Sequence, residues 1–371
     1  MYQIKITEKE AGQRLDKYLF RILPRAGSGF LYKMLRKKNI TLNDKKADGG
    51  EKITEGDLVT IYFSDETLEK FMGRKIRTGL DRNARDETLE IANYTAAFDA
   101  IQNVRILYEN DYILLADKPA GVLSQKAEKT DISLNEWLIG YLIKSGAITE
   151  EELAVWKPSV CNRLDRNTSG IVLCSKTLKG AQLLSGLLKN RTLHKYYRLY
   201  VKGVVSEEQL IEGYLIKDEK LNKVYIESVD TGSSVNSANP QEEMPENSRK
   251  RYGVRKEMRS IEQIRSSYIK TGYKPVKTEH DKTLLEVELI TGKTHQIRAH
   301  LASVGHPLLG DYKYGDKVWN DEYREKYQVR AQLLHAYKVV FPELEGPFED
   351  ISGRTFTAEL PEIFVKVADD I

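Results

Sequence analysis

The chain has 371 residues, of which 40% are hydrophobic and 30% charged, with a net charge of +3. That length allows two domains with real cores and an ordinary globular composition. No apolar run reaches the roughly 20 residues of a membrane helix, and the opening MYQIKITEKEAGQRLDKYL lacks the apolar centre of a secretory signal. Two cysteines, Cys161 and Cys174, make neither a disulfide framework nor a metal-ligand pattern, so a cytoplasmic protein is expected.

Residues 1–64 read as a small module. Leu15, Tyr18, Leu19 and Ile22 have helical spacing, and Phe30, Leu31, Met34 and Leu35 repeat it after the break Gly27-Ser28-Gly29. Alternating residues with turn signals at Asn43-Asp44, Gly49-Gly50 and Gly56-Asp57 then predict a short β-meander. Between Arg21 and Lys38 six cations (Arg21, Arg25, Lys33, Arg36, Lys37 and Lys38) follow one another with no acid between them. A local basic run of this kind is an electrostatic footprint for phosphate, although a solvated helix face reads the same way.

Residues 65–102 mix both charge signs with few large apolar side chains and read as a linker, helical in part. The main domain, residues 103–371, opens with two strands about a turn at Glu109-Asn110-Asp111. It continues with the strand-like runs GIVLCSK, HKYYRLYVKGVV, KVYIESV, KTLLEVELITG and HAYKVVF. Helical patterns such as LNEWLIGYLIKSG and LKGAQLLSGLLKNR fall between them. Strands with interspersed helices predict an α+β fold: a mostly antiparallel mixed sheet with flanking helices and loops, preceded by the small αα-β module. The polar stretch near 228–266 reads as a surface insertion.

Three segments concentrate reactive groups beside strand-like runs: NRLDRNTSG (162–170), HKYYRLYVKG (194–203) and TGKTHQIRAHL (291–301). Asp165 lies between Arg163 and Arg166, in a loop whose hydroxyl and amide groups can hold a carboxylate rigidly. Arginine neighbours favour its charged form, which suits a nucleophile or base. Taken alone, the plainer reading is a turn cap paired with an arginine. Tyr197 shares a strand face with Lys195 and Leu199; it suits stacking on a base, and a core tyrosine equally. Arg298 reads as a cation set to face an acid, with a helix-surface arginine as the alternative. Thr-Gly-Lys-Thr at 291–294 lacks the first glycine of a nucleotide phosphate loop, since position 287 is Val287. His295, His300 and His306 have no Cys or carboxylate at a ligand spacing, so no metal is expected.

Together the three segments resemble the RluA-type (RluC/RluD-like) RNA pseudouridine synthases. NRLDRNTSG stands for the family's HRLDRDTSG, Lys195-x-Tyr197-x-Leu199 for its K-x-Y-x-A strand, and TGKTHQIRAHL for TGRTHQIRVHL. DKPAGVLSQ (117–125), GHPLLGDYKYG (305–315) and LLHAY (333–337) match in the same order. The first 64 residues resemble the S-four-type RNA-binding domain that often precedes the catalytic domain, through Arg14-Leu15-Asp16 and Gly56-Asp57. The resemblance implies an isomerase that turns uridine into pseudouridine with no cofactor. It makes Asp165 the catalytic aspartate and has Tyr197 stack on the target base and help remove its ring proton. Arg298 would pair with Asp165, Arg163 would help open the RNA, and Leu333 or Leu334 would pack on the other face of the base. Asn162 for His, Asn167 for Asp, Leu199 for Ala and Lys293 for Arg depart from the pattern without touching the carboxylate. A monomer is expected, with structured RNA as its partner, ribosomal large-subunit RNA first and transfer RNA as the alternative. A non-catalytic ribosome-assembly protein and an Asp165-dependent hydrolase are the rival readings.

Overall fold

Apolar spacing of three and four residues builds the first two helices. Leu15, Tyr18, Leu19 and Ile22 are buried along α1 (Leu15–Ile22), and Leu31, Met34 and Leu35 along α2 (Ser28–Arg36). The computed structural model describes residues 1–8, 10–73, 89–149, 152–153, 156–218, 223–228 and 266–368. In it these helices share a core with a four-stranded antiparallel sheet of order β1-β4-β2-β3. The strands are β1 (Tyr2–Lys5), β2 (Ile40–Leu42), β3 (Lys45–Lys46) and β4 (Leu58–Ile61). Asn43 and Asp44 both take positive φ, 50° and 60°, the backbone that a tight two-residue hairpin between β2 and β3 requires. Asp16 ties the two helices together by accepting the Tyr32 hydroxyl at 2.8 Å while pairing with Arg14 at 2.8 Å. Helix α3 (Asp65–Met72), capped by Ser64 and ended by Gly73 in the left-handed region, adds Leu68 and Met72 to the same core. The start of the segment expected as linker is thus packed.

The described chain forms two compact units. The first comprises Met1–Lys118, Val122–Arg163 and Val172–Gly186; the second comprises Pro119–Gly121, Leu164–Ile171 and Leu187–Ile371. Beyond the module, the first unit holds α4 (Leu89–Ala100), the hairpin β5 (Arg105–Glu109) and β6 (Ile113–Lys118), α5 (Leu134–Lys144) and β7 (Ser159–Val160). It also holds most of β8 (Ser169–Ser175) and of α6 (Leu178–Asn190). Ser133 caps the start of α5: its hydroxyl accepts the Asn135 amide and donates to the Glu136 carboxylate. Gly140 lets α5 meet α4, because a Cβ there would lie 2.1 Å from the Tyr94 carbonyl oxygen. β6 is buried at all six positions, as a strand covered on both faces must be.

The second unit is built on strands in the order β11-β10-β12-β13-β9-β14. These are β9 (His194–Lys202), β10 (Gln209–Asp218), β11 (Lys223–Ser228), β12 (Ser266–Glu279), β13 (Lys282–Leu289) and β14 (Leu334–Val340). All five junctions are antiparallel. The start of β8 pairs in parallel with β14, and β15 (Thr355–Thr357) pairs antiparallel with it. Helix α7 (Gln296–Ser303) sets Ala299 among Leu215, Val224 and Ile269. Helices α8 (Lys317–Tyr327) and α9 (Glu362–Ala368) enclose a second cluster with Tyr200, Trp319, Tyr323, Leu333 and Phe364. The fold is therefore α+β with a large, mostly antiparallel sheet, as expected. Residues 229–265, nearly all of the expected insertion, and 74–88 of the expected linker lie outside the described residues. No described helix is long and apolar enough to cross a membrane.

Candidate active site

Asp165 stands at the entry to β8. The Thr168 amide donates to the Asp165 carbonyl at 3.0 Å and closes a turn. Gly170 follows at φ 108°, where an added Cβ would lie 2.3 Å from the Ala336 oxygen. Only glycine allows β8 to meet β14 there. The Ser169 hydroxyl and the His335 Nδ1, 2.8 Å apart and both buried, join the same two strands by side chains.

The Arg298 Nη1 donates to Asp165 Oδ2 at 3.0 Å. The same guanidinium is held from behind: its Nε donates to Asp311 Oδ2 at 2.7 Å and its Nη2 to Asp311 Oδ1 at 2.9 Å. Asp311 Oδ1 also accepts the backbone amides of Lys313 and Tyr314. Accessibility separates the two carboxylates. The Asp165 side chain is 27% exposed and can meet a substrate, whereas Asp311 is fully enclosed. Burial works against the Arg298 charge, but the bonds and charge of Asp311, followed by those of Asp165, outweigh it and hold its pKa above the ordinary arginine value. Burial likewise opposes the Asp311 charge, and Arg298 overcomes it and lowers the pKa.

Helix α7 is fixed by the polar residues around Arg298. Gln296 Nε2 donates to the Lys270 carbonyl and the Thr271 hydroxyl on β12, and its Oε1 accepts from the Thr291 hydroxyl and the Lys293 amide. His300 Nδ1 lies 3.0 Å from the Thr271 hydroxyl. His295, with φ 55°, shares a 2.9 Å hydrogen bond with the Tyr314 hydroxyl, and its Nε2 lies 3.9 Å from Asp165. Burial lowers the His295 pKa against the opposing pull of Asp165. The Tyr314 ring sits 5.3 Å from the Arg298 guanidinium carbon, a cation–π contact on a third side.

Tyr197 lies in the middle of the sheet, opposite Val287 on β13 and Ala336 on β14. Burial, and then the Asp165 charge, push its phenol pKa up, so the hydroxyl keeps its proton at neutral pH. Leu334 pairs with Leu199, which puts it on the Tyr197 face, whereas Leu333 joins the Tyr200 and Phe364 cluster. Arg163 is exposed. Arg25, Lys33, Arg36, Lys37 and Lys38 are exposed as well. Arg21 differs: its guanidinium carbon lies 4.9 Å from the Trp156 ring centre, and burial lowers its pKa. Residue spacing does not single out Asp311, Tyr314 and His295 as Arg298 partners. Their signal is membership of the two matching segments, 291–301 and 305–315, which fold onto one guanidinium.

A partly exposed carboxylate, a guanidinium locked behind it and a buried neutral phenol are thus carried on one α+β scaffold. A family model described as RNA pseudouridylate synthase matches residues 112–303, just over half of the chain. The chain belongs to that family, in its RluA type: it is an isomerase that converts uridine to pseudouridine in RNA. It is 27% identical over 354 residues to ribosomal large subunit pseudouridine synthase C of Vibrio vulnificus, covering 93% of this chain and 90% of the relative. It is 26% identical over 373 residues to ribosomal large subunit pseudouridine synthase D of Neisseria meningitidis, covering 97% and 77%. Among solved structures, human RNA pseudouridylate synthase domain containing 4 shares the fold at a TM-score of 0.51 and 20% identity, over 75% of this chain and 94% of that one.

Proposed function

We propose that this enzyme isomerises specific uridines of large-subunit ribosomal RNA in the cytoplasm, as a monomer, with Asp165 as the catalytic carboxylate. The observation that carries the site is the buried Asp311–Arg298 clamp, which ends on the one accessible carboxylate of the group. The reaction must break the bond from ribose to the ring nitrogen, turn the uracil and rejoin it through ring carbon 5, with loss of the proton there. The target nucleotide first leaves its stack, at a cost of a few kcal/mol. Tyr197 stacks on one face of the flipped base and Leu334, rather than the inward-packed Leu333, covers the other. Arg163 helps hold the RNA open. Asp165 acts beside the sugar and ring, by attack on either or by taking a sugar proton. Tyr197, as a neutral phenol, is suited first to stacking.

Residues 1–64 act as an S-four-type RNA-binding module followed by a linker, residues 65–102, and the catalytic domain, residues 103–371. The exposed Arg25, Lys33, Arg36, Lys37 and Lys38 neutralise phosphates. Arg21 is left out of that face because Trp156 covers it. The ribosomal assignment is supported by the names of the two bacterial relatives. The test is a map of pseudouridines in total RNA from cells with and without the protein, and with Asp165→Asn restored in its place. Loss of sites in large-subunit ribosomal RNA that only the wild type restores is expected. Loss confined to transfer RNA overturns the substrate, and restoration by Asp165→Asn overturns the role of Asp165.

A further inference from the structure

The Thr-Gly-Lys-Thr segment at 291–294 is no nucleotide phosphate loop by spacing, yet it brings cations together next to the site. Gly292, Lys293 and Thr294 are exposed just ahead of α7, whose N-cap His295 makes no side-chain capping bond. Beneath them lies Lys195 on β9. Its Nζ would be 3.9 Å from a Cβ built on Gly292, and strand alternation puts it on the Tyr197 face. Its stem is half-buried, and its strand partner is the buried Val339. Among the described residues neither Lys195 nor Lys293 has a hydrogen-bond or ion-pair partner for its ammonium. Lys270, whose carbonyl accepts the Thr291 amide, differs: its ammonium pairs with Glu212 at 2.7 Å.

A half-buried ammonium with no anion is unfavourable unless a ligand supplies one. Burial, and then the nearby Arg191, lower the Lys195 pKa, as expected for a cation in that condition. Arg191 is itself exposed and adds positive charge. Two residues of strand separate Lys195 from Tyr197, about 7 Å. A base stacked on Tyr197 therefore brings its own or an adjacent phosphate within reach of the ammonium.

We propose that Lys195 and residues 292–294 form a binding site for one phosphodiester of the RNA backbone beside the target nucleotide. The inference rests on the reading that Tyr197 marks the target pocket. One phosphate contact contributes about 0.7 to the slope of log affinity against log salt for single strands. The advantage of the wild type over a variant lacking the contact should then shrink about 2.6-fold between 50 and 200 mM KCl.

The experiment measures pseudouridine formation by the full-length enzyme, under kcat/KM conditions, on total RNA from cells lacking it, across that salt range. Lys195→Met is expected to lower kcat/KM and flatten the slope by about 0.7, while Lys195→Arg keeps the wild-type slope. A lower rate with an unchanged slope means that Lys195 only packs, and overturns the proposal. If Lys195→Met does not fold, Lys195→Gln and Lys293→Gln are read in the same way. Asp165→Asn is run alongside. Retained turnover there breaks the reading of the pocket, whereas unchanged slopes with Asp165 still essential break this inference alone.

Discussion

Replacing Asp311 with Asn probes the centre of the site without touching an atom that meets RNA. The side chain is fully enclosed and holds Arg298 through two bonds of 2.7 and 2.9 Å. The amide is neutral and can accept only one of those bonds, so Arg298 keeps Asp165 as its remaining acidic partner. Breaking one side of a buried ion pair costs about 3–5 kcal/mol, because the remaining charge stays buried. At a urea m-value of about 3 kcal/mol/M, the midpoint should fall by about 1–1.7 M. The assay is urea unfolding of wild type, Asp311→Asn, Arg298→Met and the double variant. The double variant should lose less than the sum of the singles by at least about 2 kcal/mol. RNA affinity should hold while pseudouridine formation falls, since Arg298 is freed to shift at Asp165. Additive losses, or a single variant as stable as the wild type, would show that the pair is not the clamp described.

Tyr197→Phe keeps the ring and removes the hydroxyl; RNA affinity should stay within twofold while single-turnover rate falls about 100-fold if the hydroxyl handles the ring proton. An unchanged rate in quench-flow would leave Tyr197 with stacking alone. His300, buried against Thr271, has its pKa lowered to about 4 by burial. The unfolded chain then binds the extra proton between about pH 6.5 and 4, so stability is present above 6.5 and is lost as pH falls toward 4. From pH 7 to 5 the loss should approach about 2 kcal/mol; urea titrations of wild type and His300→Gln test it, and equal pH profiles would refute it. Converting the exposed Lys33, Arg36, Lys37 and Lys38 to Gln should leave the melting temperature in place and flatten the salt dependence of RNA binding by up to about 3. Filter binding with an unchanged slope would remove that face from the RNA interface.

Periodicity made the elements with clean patterns legible. Leu15, Tyr18, Leu19 and Ile22 announce α1, and the apolar runs of β8, β9, β13 and β14 lie where strands form. Two long strands were hidden by their own irregularities. β12 contains Gly272 and Pro275 and slips register between Pro275 and Lys277; in β10, Gly213 admits the Glu227 carbonyl oxygen to within 2.8 Å of where its Cβ would stand. Helix α8 is masked by its charges, since Trp319 and Tyr323, one turn apart, carry much of its buried face. At the site, Asp165 and Arg298 lie 133 residues apart, and motif order rather than any local rule linked them. Asp311 had no signal beyond its place in the matching segment 305–315, because an aspartate acquires its meaning only when tertiary folding closes it over a guanidinium.

The clamp also offers a practical tool. Because Asp311 fixes the guanidinium through two atoms that Asp165 does not use, the pocket should keep its shape when Asp165, the proposed catalytic carboxylate, is neutralised. A chain carrying Asp165→Asn is then a snare: it would still admit and stack the chosen nucleotide but not turn it over. Crosslinking such a bait in growing cells and sequencing what it retains would show which RNA this enzyme seeks.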